Sequence, residues 1–65
     1  MPTGLARRDG WDSIRPGKTI IEWFPAPELG PGRVLAFMPG RTLLVDFDCG
    51  VRRDGIMIED IRIIA

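Results

Sequence analysis

Between residues 25 and 32 the chain reads Pro25-Ala26-Pro27-Glu28-Leu29-Gly30-Pro31-Gly32, three prolines and two glycines in eight positions. Proline fixes φ and donates no backbone hydrogen bond, and glycine raises the entropy lost on ordering. No regular element of any length crosses such a segment. Similar punctuation recurs at Pro16-Gly17, Pro39-Gly40, Cys49-Gly50 and Asp54-Gly55. The uninterrupted runs left between these breaks are three to ten residues long, and most are rich in β-branched and aromatic side chains. Runs that short are marginal as helices and ordinary as strands. The chain is therefore expected to be all-β.

Five strands follow from this reading. Residues 18–24, Lys18 to Phe24, form the first, and residues 25–32 a long loop. Arg33 to Met38 is the second strand. Met38-Pro39-Gly40-Arg41 reads as a type II turn, because proline presets φ at its second position and glycine accepts the positive φ of its third. Arg41 to Asp48 is the third strand, where Leu43, Val45 and Phe47 alternate with Leu44, Asp46 and Asp48 in the period-two pattern of one buried face. The second and third strands are expected to pair as a hairpin. Gly55 to Ile58 is a short fourth strand, Glu59-Asp60 a polar break, and Ile61 to Ile64 the fifth. Residues 1–17 carry no sustained periodicity and read as a flexible leader that tacks down through Trp11 and Ile14. The folded unit is then expected over 18–65.

Size and composition narrow the function classes. A domain of 65 residues buries only about 60% of its unfolded surface, so this chain needs an economical core, a closed small barrel or an oligomeric face. Nine Lys and Arg balance nine Asp and Glu, which argues against a polybasic nucleic-acid binder held by counterion release. With no histidine and a single cysteine, Cys49, one chain holds neither a Cys/His zinc site nor Ser-His-Asp or Cys-His catalysis. No run is long and apolar enough to span a membrane and the first residues lack a hydrophobic signal core, so a cytoplasmic location without membrane association is expected.

The stretch from Pro16 to Ala65 resembles the Tudor-like, SH3-like small barrel modules of bacteria, above all the C-terminal module of UvrD/PcrA-type helicases and free-standing small proteins of that kind. The residues carrying the resemblance are Gly30-Pro31-Gly32-Arg33-Val34, Leu44-Val45-Asp46-Phe47, Gly50 and the closing Ile58-Glu59-Asp60-Ile61-Arg62-Ile63. It implies a five-stranded SH3-like barrel with a single 3₁₀ turn before the last strand. It also implies a docking module without catalysis or cofactor, working on a protein or nucleic-acid machine of the helicase or RNA polymerase class. A second resemblance is to type II dihydrofolate reductases, barrels of similar size that build one active site across a homotetramer. Ile56-Met57-Ile58-Glu59 stands where that family carries Val-Gln-Ile-Tyr, and lacks both the glutamine and the tyrosine.

The candidate partner-binding residues are Trp23, Leu35, Phe37, Leu44, Arg41, Arg52 and Arg53. Strict alternation along the second strand turns Val34, Ala36 and Met38 inward and Leu35 and Phe37 outward. With Leu44 these make an apolar outer patch of the kind that marks an interface, unless Trp11 folds over it. Of Trp23 and Phe24, one is expected to face the core and the other solvent. Arg52-Arg53 are placed at a loop tip, with Arg41 on the preceding turn, as partners for phosphates or an acidic surface. Asp46, Asp48 and Asp54 have no calcium-loop spacing and read as a solvated strand face. Cys49 has no activating neighbour in sequence and reads as inert. The expected function is a non-enzymatic module docking onto a larger protein partner, including a phage- or mobile-element-encoded inhibitor of such a machine. Nucleic acid is a second ligand class, and a homo-oligomer, enzymatic or structural, the alternative.

Overall fold

The short runs form five strands of one antiparallel sheet in a computed structural model that describes residues 8–65. The strands are β1 (Ile20–Trp23), β2 (Pro31–Met38), β3 (Thr42–Phe47), β4 (Arg52–Met57) and β5 (Ile61–Ile63), in the spatial order β4-β3-β2-β1-β5. The all-β, five-stranded expectation is met. The edges of the sheet are β4 and β5, and among the described residues no ladder pairs them, so the sheet is not closed by backbone hydrogen bonds.

Three 3₁₀ turns join or flank the strands: Arg8–Ser13, Pro27–Leu29 within the proline-rich loop, and Ile58–Asp60 immediately before β5. Pro27 opens its turn at the position where a missing N–H costs nothing. Residues 1–7 of the expected leader lie outside the described residues. Of the rest, Trp11 and Ile14, the residues through which the leader is expected to tack down, pack against and in the core. Ile14 is 4% exposed and belongs to the core. Below it the chain turns at Arg15–Thr19, where the Arg15 backbone N–H donates to Thr19 Oγ1 at 2.7 Å and the Thr19 N–H donates to the Arg15 carbonyl at 2.9 Å. That turn uses up Lys18 and Thr19, which is why β1 starts at Ile20 rather than Lys18.

Ile21, Val34, Leu43, Val45, Phe47, Ile56, Ile58 and Ile61 complete the core with Ile14. The buried positions of β3 are Leu43, Val45 and Phe47, as the alternation requires. In the β2–β3 connection Gly40 takes φ 80° and the Thr42 hydroxyl donates to the Pro39 carbonyl at 3.1 Å. The expected fourth strand, Gly55 to Ile58, is corrected to Arg52–Met57. Arg52, Arg53 and Asp54 are poor strand formers, but on an edge their side chains stay solvated and deter further pairing.

The register of β2 also departs from strict alternation. Val34 pairs with Val45 but Ala36 pairs with Leu44, so Leu35 is an extra residue in a β-bulge. Beyond the bulge the faces exchange. Phe37 lies opposite Leu43, which lies opposite Ile56, and these three share the core face. Ala36 and Met38 lie opposite Leu44 and Thr42 on the outer face.

Candidate functional site

The core face of a sheet this small is open at both ends of the β2–β3–β4 ladder, and each end carries a phenylalanine, a tryptophan and an arginine. At the hairpin end the rings of Trp11 and Phe37 are 4.7 Å apart between centroids, tilted by 37°. The Arg41 guanidinium carbon lies 5.3 Å from the centre of the Trp11 ring. At the other end Trp23 and Phe47 are 6.1 Å apart, and Arg53 lies 5.9 Å from the Trp23 ring. Ring pairs of this kind add about 0.5–1.5 kcal/mol beyond area burial. Exposed cation–π contacts add about 0.5–1 kcal/mol.

The stacks differ in how they are supported. Trp23 stands on β1, directly opposite the fully buried Ile61, and packs on the core. Its indole Nε1 is buried and unpartnered, so the polar edge of the ring is not offered to a ligand. Phe24, the next residue, is the exposed member of the pair. Trp11 instead comes from the 3₁₀ turn Arg8–Ser13, outside the sheet. Phe37, beneath it, remains 42% exposed.

Arg41 has a backbone feature unique among the described non-glycine residues, a positive φ of 58°. It follows Gly40 in the loop between the paired residues Met38 and Thr42, and the left-handed conformation costs an L-residue about 1–2 kcal/mol. Its side chain both covers Trp11 and lines a cleft of about 370 Å³ with Gly40, Met57, Ile58 and Glu59. Met57, on the outer face of edge strand β4, is 40% exposed. Phe37, Trp11, Arg41 and Met57 thus adjoin as one surface at the hairpin end: Trp11 contacts both Phe37 and Arg41, and Arg41 shares a cleft with Met57.

The seven residues singled out from sequence do not form one patch. Phe37 and Arg41 are at this surface. Leu44 lies on the opposite face from Phe37, because the bulge at Leu35 reverses the alternation that placed the two together. Leu35 lines a separate outer cleft with Ile20, Arg33, Asp46 and Asp48. Arg52 and Arg53 are strand residues rather than a loop tip, paired with Asp46 and Val45. Thr42, next to Arg41, lies four residues along β3 from Asp46, the partner of Arg52, a rise of about 13 Å, so Arg41 and Arg52 do not share a patch. The row Arg33–Asp46–Arg52 crosses the outer face, with the Arg52 and Asp46 side chains 4.0 Å apart. Asp46, Asp48 and Asp54 do not converge: among the described residues no group of three or more acidic, cysteine or histidine side chains is placed to hold a metal ion.

Met57 and Trp11 are the members of the surface that sequence left off the candidate set. Met57 was legible in principle, since it alternates with Ile56 and Ile58 and must face away from them. No helix among the described residues is long and apolar enough to cross a membrane. In comparisons with known proteins no family model, no curated protein and no solved structure matches this chain.

Proposed function

We propose that this chain is a non-enzymatic docking module, an SH3-like (Tudor-like) small barrel that engages a larger protein partner through the hairpin end of its sheet. The strand order β4-β3-β2-β1-β5 and the 3₁₀ turn Ile58–Asp60 before β5 support the barrel reading. The observation that carries the functional reading is the placement of Arg41. A residue held at φ 58° costs stability, and this one sets its guanidinium over Trp11, which packs on exposed Phe37, and lines a cleft with exposed Met57. Apolar anchors beside an arginine are the composition in which interface energy concentrates. A nucleoprotein machine of the helicase or RNA polymerase class remains the partner class implied by the resemblance. A formal net charge of zero favours contact with its protein component over nucleic acid.

The test is affinity capture from the source cell with three immobilised proteins, after light scattering has established the solution mass. A partner retained by the unmodified chain and by Ile64→Ser, but lost on Met57→Glu, supports the reading. Ile64 is the control because it is exposed but outside this cluster. A stable dimer or tetramer that Met57→Glu dissociates would replace it with self-association through the same surface.

A further inference from the structure

The Trp11 indole sits in a slot bordered by Phe37, 4.7 Å away between ring centroids and tilted by 37°, and by the Arg41 guanidinium, whose carbon is 5.3 Å from the ring centre. The segment that brings it there is lightly tied. Among the described residues, none from 10 to 16 makes a backbone hydrogen bond to the sheet, and the first such bond is from the Gly17 N–H to the Val34 carbonyl at 2.7 Å. Ile14, in the core, fixes the base of this strap. Beyond Ile14 the strap is held to the sheet through side chains, and segments held in that way open at low free energy.

We propose that the slot between Phe37 and Arg41 is a recognition site for an aromatic side chain of the protein partner, an indole above all, and that Trp11 fills it in cis as a displaceable plug. The proposal rests on the docking function above. The occupant is read from what sits there: an aromatic ring and a guanidinium both within reach of one indole suit an aromatic side chain, and the cation favours the ring with the strongest quadrupole, which is indole. A nucleobase is disfavoured because its phosphate backbone calls for a basic surface, whereas nine Lys and Arg here balance nine Asp and Glu. The strained backbone of Arg41 is accounted for as well. It holds the guanidinium at the border of the slot whether the ring comes from residue 11 or from the partner.

The plug lowers apparent affinity by the fraction of time the slot is free. Trp11→Ala should therefore empty the slot without removing it. N-acetyl-tryptophanamide titrated into this variant should shift the amide resonances of Phe37, Arg41 and Thr42, and should shift those of the unmodified protein only at about tenfold higher concentration. A native spectrum of Trp11→Ala with no response to the probe would overturn the proposal, as would a stronger response to a short oligothymidylate. Should Trp11→Ala not fold, Trp11→Leu keeps an apolar cover without a stacking ring and is titrated instead. With a captured partner in hand, Trp11→Ala should bind it roughly tenfold more tightly, as expected of a slot about a tenth free. Weaker capture would make Trp11 part of the docking surface, which ends the plug but keeps the docking function. A responsive slot with no captured partner would do the reverse.

Discussion

Gly32 is the position at which one added methyl group should cost most. It lies between Ile21 and Phe47 in the ladders, on the core face of β2. A Cβ built there would stand 2.6 Å from Val45 Cγ1 and 2.7 and 2.9 Å from two Phe47 ring atoms. Carbon atoms rest at about 3.5–4.0 Å, so each neighbour would have to give way by about 1 Å. Neither can do so freely: Val45 is 0% exposed and Phe47 is 2% exposed, and a β-branched side chain has one strongly preferred χ1. Overpacking of this kind costs about 1–3 kcal/mol. Against it stands a gain of about 0.4–1 kcal/mol, because alanine restricts the unfolded chain. Gly32→Ala should thus destabilise by about 1–2 kcal/mol, out of the roughly 3–10 kcal/mol expected for 65 residues. The readout is thermal and urea unfolding, with a fall in Tm of about 5–15 °C. Pairing it with Val45→Ala, which removes the nearest methyl, should recover part of the loss, with a coupling of about 0.5–3 kcal/mol in a double-mutant cycle. An unchanged or raised Tm for Gly32→Ala would refute the reasoning, since glycine would then be there for neither space nor close approach.

Ile14→Ala should cost about 2–4 kcal/mol in urea unfolding, because Ile14 is a core residue despite its place before Pro16-Gly17; a change below about 0.5 kcal/mol, the size of an ordinary surface substitution, would mean that the strap contributes nothing to the core. Thr19→Val keeps the shape but strands the Arg15 N–H that Thr19 Oγ1 accepts at 2.7 Å, and should cost about 1–2 kcal/mol by the same assay. Arg62→Gln should move stability by less than about 1 kcal/mol, although Arg62 pairs with Glu22 directly across β1 and β5; both side chains are more than a third exposed, and such pairs are largely offset by solvation and side-chain entropy.

What was legible in the sequence, and what was not, divides by the kind of signal each feature leaves. Leu43, Val45 and Phe47 alternate without interruption, and Pro39-Gly40 gives the turn before them its φ values. The β2–β3 hairpin could therefore be read residue by residue. The fourth strand was half missed because Arg52, Arg53 and Asp54 imitate a loop. On an edge strand solvation of such side chains is an advantage, and composition does not tell an edge from a loop. The bulge was invisible for another reason. Leu35 is an ordinary strand residue with no glycine or proline beside it, and only the register against Leu44 and Val45 exposes the extra position. That single residue decided the candidate site. With strict alternation Phe37 joins Leu35 and Leu44 in an outer patch. With the bulge it turns to the core face and meets Trp11.

The two Arg–Trp–Phe stacks follow from the arithmetic of a small sheet. A ladder of short strands buries its middle rows, Val34–Val45 and Leu43–Ile56, but cannot supply aliphatic cover at both ends, and among the described residues there is no α-helix to do it. A tryptophan covers more area than any other side chain, and an arginine laid over its outer face shields the ring while keeping its own charge in water. At the Phe47 end the tryptophan belongs to β1 and cannot leave without unpairing Trp23 from Ile61. At the Phe37 end the same chemistry is delivered by a turn outside the sheet, so its removal costs side-chain contacts but no ladder. An exchange of partners is feasible only where the cover can come off while the sheet stays whole. On the docking proposal, binding therefore belongs to the Phe37 end and structure to the Phe47 end, though the two are built from the same three residue types.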